Sequence, residues 1–240
     1  YKILILNIKI FTNSNWENLG PQEDHSNRII LDLKIHPTTY EPYILLNNNE
    51  IKKYNGSVWI DIGDVSSNIF LGKTSQLLFH PTTYELYYYT YTSNSNTNYM
   101  YQYRYDGATW QNDSTYAVSG EIHFRQFEFD QKTSEFMIFC NSNNDLYLAK
   151  YNAGWVLEFV LTCCEGYSKL SFNKYDLKYY IAYGELDDDC RTSMKYQNSG
   201  KWEQYSIKGF GGPYTFDFLL FNKKNGQPYI SYKNYLIRYS

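Results

Sequence analysis

The chain has 240 residues, of which 20% are aromatic, and carries a formal net charge of −3 with a pI near 5.8. Its Lys and Arg residues are scattered singly and form no stripe, which excludes nucleic acid and anionic membrane as partners. No apolar run reaches the roughly 18 residues of a membrane helix, and helical periodicity is almost absent, so an all-β chain without membrane insertion is expected.

In chain order the first expected element is a strand over Ile3 to Phe11. Lys2-Ile3-Leu4-Ile5-Leu6 has the apolar character of a secretory leader, but Asn7 and Lys9 interrupt it, so a strand is the reading adopted. Trp16 follows, and four further tryptophans, Trp59, Trp110, Trp155 and Trp202, recur at intervals of the size of one propeller blade. Each sits just after a turn-forming stretch: Asn13-Ser14-Asn15, Asn55-Gly56-Ser57, Asp106-Gly107-Ala108, Asn152-Ala153-Gly154 and Asn198-Ser199-Gly200.

A second register supports the same repeat. Ile35, Phe79, Phe129, Phe172 and Phe221 are each followed without a gap by a polar turn and then by Tyr43, Tyr87, Met137, Tyr180 and Tyr229. This pattern predicts two antiparallel strands, a and b, joined by a hairpin. Strand c comes next, as in Tyr99, Tyr101, Tyr103 and Tyr105, and strand d carries the Trp. Five such meanders with no linker between them predict one domain over 1–240, an all-β five-bladed propeller of four-stranded antiparallel blades. The chain starts with a Trp strand and finishes after a strand c at Leu236 to Tyr239, so the closing blade is expected to join C-terminal strands a to c with the N-terminal Trp16 strand. Ile3 to Phe11 then either adds an outer strand to that blade or pairs with a neighbouring molecule.

The five-repeat layout, and the run Gly211-Gly212-Pro213-Tyr214 through Phe218-Leu219-Leu220-Phe221 to Asn225-Gly226 and Tyr229, resemble the tachylectin family of five-bladed propeller lectins. Where tachylectin repeats carry Gly-Gly-Trp, this chain has Gly211-Gly212-Pro213-Tyr214. The resemblance implies the fold and a carbohydrate-binding role.

No catalytic constellation emerges from the residues. Along strand a, Asp32, Gln76, Gln126 and Lys169 form one polar series facing the expected channel and Lys34, Glu128 and Ser171 fall in a second layer, so that Asp32 and Glu128 are the only carboxylates of the two. They belong to different repeats, with Lys34 and Lys169 near enough to pair with them, whereas glycoside hydrolysis needs two carboxylates converging on one sugar. His36 and His80 occupy the same hairpin position in two copies of His-Pro-Thr-Thr-Tyr-Glu, where the other repeats have Asp130, Asn173 and Asn222, so a turn-capping role is expected. His25 and His123 stand alone, and Asp187-Asp188-Asp189 lacks the Gly and distal Glu of a calcium loop. No metal and no cofactor is expected.

In a four-stranded meander the d–a and b–c loops emerge on one face, and Cys140, Cys163, Cys164 and Cys190 all map there. Disulfides in some pairing, and hence an extracellular or surface-associated protein, are expected; reduced, separately packed thiols are the other reading. That face also collects Asn47-Asn48-Asn49, the loop from Thr92 to Asn98 containing Asn94, and Asn141 to Asn144 containing Asn143. Asn234 joins them, together with the aromatics Phe70, Tyr116, Tyr167, Phe210 and Tyr214. Amides and aromatic rings suit a neutral sugar, although Asn-rich loops also follow from composition alone. The groove of Gly211, Gly212, Tyr214 and Asn234 is the first choice for a glycan, and the alternative function is a structural or protein-interaction scaffold.

Overall fold

The computed structural model describes residues 5–6, 9–12, 15–19, 23–24, 29–65, 75–94, 97–119, 122–142, 145–151, 155–162, 168–184, 192–205, 216–222, 224–232 and 235–238. The chain divides into two compact units, Tyr1–Glu121 and Ile122–Ser240.

The first unit starts with four short strands, β1 (Ile5–Leu6), β2 (Lys9–Thr12), β3 (Asn15–Asn18) and β4 (Glu23–Asp24). Two meanders follow. One is β5 (Ile30–Ile35), β6 (Pro42–Leu46), β7 (Glu50–Tyr54) and β8 (Trp59–Asp64); the other is β9 (Gln76–Phe79), β10 (Leu86–Asn94), β11 (Thr97–Tyr105) and β12 (Trp110–Ser119). Each is a four-stranded antiparallel sheet in sequence order. Tyr43, Leu45, Ile51 and Val65 of the first sheet pack on Leu77, Leu86, Tyr88 and Tyr103 of the second. All five residues of β6 are buried, so a middle strand is apolar on both sides, as stacked blades require.

The second unit repeats the plan with β13 (His123–Phe129), β14 (Phe136–Ser142), β15 (Asp145–Tyr151) and β16 (Trp155–Thr162), then β17 (Ser168–Asn173), β18 (Lys178–Gly184), β19 (Thr192–Asn198) and β20 (Lys201–Tyr205). Met137, Phe139, Leu146 and Leu148 meet Leu170, Tyr179, Ile181 and Tyr183 in its main core. Its last sheet, β21 (Phe216–Phe221), β22 (Pro228–Tyr232) and β23 (Tyr235–Arg238), has three strands. Leu219 and Ile230 pack there on Tyr180, Ala182 and Met194.

The expected strands a, b, c and d are therefore present, but complete four-stranded blades number four among the described residues and not five. The Trp16 strand, expected in the last blade, pairs instead with Lys9–Thr12, with Thr12 opposite Asn15. A local hairpin loses little chain entropy on closing. The single strand expected over Ile3 to Phe11 is likewise two pieces, since Ile5–Leu6 pairs with Glu23–Asp24.

Turn chemistry repeats more faithfully than the sequence does. In the a–b hairpins, the backbone N–H groups of Thr38 and Thr39 donate to His36 Nδ1, those of Thr82 and Thr83 to His80 Nδ1, and those of Lys132 and Thr133 to Asp130 Oδ1. Tyr175 N donates to Asn173 Oδ1 and Lys224 N to Asn222 Oδ1. The fifth residue of each turn has positive φ: Tyr40 at 61°, Tyr84 at 60°, Ser134 at 63°, Leu177 at 58° and Gly226 at 68°. An imidazole thus does the work of a carboxylate or amide, as expected from the sequence.

That substitution has a pH consequence. Burial lowers the His36 pKa from its ordinary 6.5 by penalising the charged imidazolium, with nearby Lys53 acting in the same direction and Glu41 against it. The stability this turn contributes is complete above 6.5 and is lost as the pH falls from there through the folded value. His36→Asn keeps a cap without titrating. Its urea midpoint, measured from pH 8 to pH 5, is expected to fall less than that of the wild type; parallel falls would remove His36 from the account.

Candidate functional site

A cavity of about 660 Å³ opens at one end of the first sheet. Its floor is Leu19, Leu33, Ile35 and Pro42; Thr39, Tyr40 and Glu41 of the a–b turn and Tyr54, Asn55 and Gly56 of the c–d turn form the rim. The two turns meet because β5–β6 and β7–β8 are hairpins pointing the same way. Asn55 Oδ1 accepts from Ser57 N and Val58 N, and Gly56 adopts φ 97°, so the c–d rim is fixed by its own turn.

The floor is exposed where its counterpart in the second sheet is covered. Leu77 and Phe79 of the second sheet occupy the positions of Leu33 and Ile35, and they are covered by the first sheet: Tyr43 lies 5.2 Å and His36 4.9 Å from the Phe79 ring. Leu33 and Ile35 remain 45% and 49% exposed. Tyr40 is the most exposed large side chain at the rim, at 75%, and it stands at a φ that bulky residues rarely adopt. Glu41 is held ionised below its usual range by Lys53, whose Nζ lies 2.9 Å away, and by the Thr39 hydroxyl at 2.8 Å.

Sequence reasoning placed ligand at the opposite end of the sheets, on the b–c and d–a loops. Gly211, Gly212, Tyr214, Asn234, Tyr167 and Asn143 lie outside the described residues, as do Asp187-Asp188-Asp189 and His25. Asn94 is not in a loop: β10 and β11 run on to pair Asn94 with Thr97, so the expected loop from Thr92 to Asn98 is a long hairpin. Tyr116 lies within β12, opposite Met100, with its hydroxyl 3.5 Å from Gln102 Oε1. The Asn side chains nearby serve the fold. Asn47 Oδ1 accepts from Ile29 N, Asn49 Oδ1 from the Tyr88 hydroxyl, and Asn141 Oδ1 from Arg125 Nε.

The polar series of strand a has a structural role as well. Asp32 Oδ2 accepts from Leu77 N of the next sheet and Oδ1 from Leu33 N, both at 2.9 Å, with Lys34 Nζ at 3.6 Å. Gln126 makes the equivalent bridge in the second unit, receiving Leu170 N and donating to Leu170 O. These side chains stitch neighbouring strands a together. Burial raises the Asp32 pKa in spite of those donors. Glu128 accepts from Phe129 N, and His123 is exposed.

Cys140 is a buried free thiol, and burial pushes its pKa up to about 12. The expected bridge from Cys140 is thus not formed; Cys163, Cys164 and Cys190 lie outside the described residues. Its neighbour across the sheet is Tyr147 on one side and Phe124 on the other, an interior that suits a thiol as a small apolar group. Native protein treated with iodoacetamide at pH 8 is expected to keep Cys140 unmodified in a peptide map; rapid labelling would show it accessible. Among the described residues no group of His, Cys, Asp and Glu could hold a metal ion. No helix among them is long and apolar enough to cross a membrane.

No protein family and no curated protein matches the chain by sequence. Solved structures do match. The Dos1 propeller superposes with a TM-score of 0.50 at 12% identity, over 88% of this chain and 58% of that one. The SapL1 lectin, in complex with alpha methyl fucoside, gives 0.52 at 11% identity over 86% and 80%. YCF48, bound to D1 peptide, gives 0.50 at 14% identity over 95% and 82%. At such identities the likeness is one of fold, and the fold is an all-β propeller with four-stranded antiparallel blades. Its structural relatives include lectins, while none of these three is a tachylectin by name. The chain spans less than two thirds of the Dos1 propeller's length.

Proposed function

We propose that the chain is a non-catalytic carbohydrate-binding propeller, extracellular or surface-associated, that takes a neutral sugar at the cavity of the first sheet. The observation that carries this reading is Tyr40, three-quarters exposed at the cavity mouth on a backbone that disfavours a bulky side chain. An exposed phenol ring offers a flat face for the apolar side of a pyranose. Thr39, Glu41 and Asn55 on the same rim supply hydroxyl, carboxylate and amide groups for its hydroxyls. The fold shared with a lectin solved with a fucoside is consistent with this use. Each site of this kind is weak, and presentation on a dense glycan surface raises avidity. The groove of Gly211, Gly212, Tyr214 and Asn234 is a second proposed site.

A protein-interaction scaffold is the second reading, favoured by the floor. Leu19, Leu33, Ile35 and Pro42 present no hydrogen-bonding side chain and suit an apolar peptide residue, and YCF48 is a relative of the same fold bound to a peptide. A glycan array competed with free monosaccharide decides between them. Competed binding supports the lectin; an empty array together with selection of apolar peptides from a display library supports the scaffold.

A further inference from the structure

The outermost strands β8, β12, β16 and β20 occupy equivalent places in four homologous sheets, yet one differs in kind. Exposed sheet edges are ordinarily blunted by charge, bulges or polar side chains, because their unpaired N–H and C=O groups invite another strand. β8 exposes a single large apolar residue, Ile60 at 42%, flanked by Asp61 and Asp64, and bends at Gly63, whose φ is 95°. β12 exposes Gln111, Asn112 and Asp113, and β20 exposes Lys201, Glu203 and Gln204. β16 instead exposes Val156 at 62%, Leu157 at 56% and Phe159 at 54%. Its one charge, Glu158, is turned toward the neighbouring sheet, where the carboxylate accepts from Trp202 Nε1 at 2.9 Å and Gln197 Nε2 at 3.2 Å.

The regular part of this edge is short and nearly self-complementary. Trp155 to Phe159 pair without interruption with Tyr151 to Tyr147, and the ladder shifts register beyond that point. We propose that this segment is an interface between two copies of the chain, joined edge to edge as antiparallel strands about a two-fold axis at Leu157. Directly opposed residues of an antiparallel pair share a face. In this register Leu157 meets Leu157 and Trp155 meets Phe159 on one face, while Val156 meets Glu158 on the other, so no like charges oppose. Registers centred on Glu158 would set two carboxylates against each other, at a cost. An isologous contact of this kind closes at two subunits and does not propagate.

Five residue pairs bury far less than the roughly 800 Å² per partner of a standard stable complex, so the dimer is weak. Sedimentation velocity on the 240-residue chain is expected to show a 28.5 kDa species that moves toward twice that mass as concentration rises to the order of 0.1 mM. Leu157→Lys places two ammonium groups across the axis and is expected to hold the protein monomeric over the same range. Since Leu157 is exposed, the variant is expected to keep its fold, to be checked by circular dichroism. Hydrogen exchange supplies the second readout: amides of Trp155 to Phe159 should gain protection with concentration in the wild type only. A monomer at every concentration, a dimer that survives Leu157→Lys, or a dimer without added protection on this strand would each overturn the proposal.

Discussion

Gly226→Ala is expected to destabilise the second unit by about 2–4 kcal/mol, and the cause is contact more than conformation. Gly226 has φ 68°, but Tyr40, Tyr84, Ser134 and Leu177 hold the same turn position at 58° to 63° with side chains in place. The backbone of this turn therefore tolerates a Cβ. What differs is Tyr175: a Cβ on Gly226 would stand 2.8 Å from its Cδ1 and 2.9 Å from its Cβ and Cγ. The Tyr175 Cβ cannot swing away, because Tyr175 N is held by Asn173 Oδ1 and Asn173 Nδ2 in turn donates to Gly226 O. Urea denaturation followed by fluorescence measures the loss. Adding Tyr175→Gly to Gly226→Ala removes all three close atoms and should recover most of it, leaving about 1 kcal/mol of backbone cost. If the double variant is no more stable than Gly226→Ala alone, contact with Tyr175 is not the cause.

The same turns show why the fold was legible while much of the site was not. Trp spacing, the a–b register and Asn-Gly or Asp-Gly pairs depend on local rules, and local rules recur in every repeat. Tyr54 with Trp59, Tyr105 with Trp110, and Tyr151 with Trp155 each close a c–d hairpin with ring centroids 5.2 Å apart, an arrangement that follows from register and turn alone. How strands complete a sheet is a non-local competition, and there the expectation for Trp16 failed in favour of its nearest partner.

Polar residues were legible in part: Asp32 has the expected Lys34 beside it, at 3.6 Å. Asp32 and Gln126 fall on the expected channel-facing positions, but their partners are main-chain groups of the next sheet, Leu77 and Leu170, which no pattern within one strand reveals. Amides are versatile, and within the Asn-rich stretches Asn47, Asn49 and Asn141 spend that versatility on main-chain and side-chain groups of the fold itself. Tyr40 carried no distinct signal in the sequence: the fifth turn position holds Gly226 and Ser134 in two repeats but Tyr84 and Leu177 in two others, and what sets Tyr40 apart is its exposure of 75% at the cavity mouth.

Tyr40→Gly is expected to weaken glycan binding at the first sheet and at the same time to raise stability. Glycine relieves the positive φ at position 40, a strain of about 1–2 kcal/mol for a side chain, and forfeits part of that through the freer unfolded chain, for a net gain of about 0.5–1 kcal/mol. Little packing is lost, since the Tyr40 ring is three-quarters exposed. Binding should fall at least about tenfold, because ring stacking on the order of 1 kcal/mol or more is removed together with the wall it forms. Tyr84→Gly is the matched control: same turn, same φ, but its ring lies 6.3 Å from His36, which keeps it 39% exposed and gives it packing to lose. That variant should bind glycan as the wild type does and gain less stability. Thermal unfolding and array binding on the two variants read both quantities. Glycan binding unchanged in Tyr40→Gly would sink this cavity as the sugar site, and a fall in its stability would show that Tyr40 is retained for the fold.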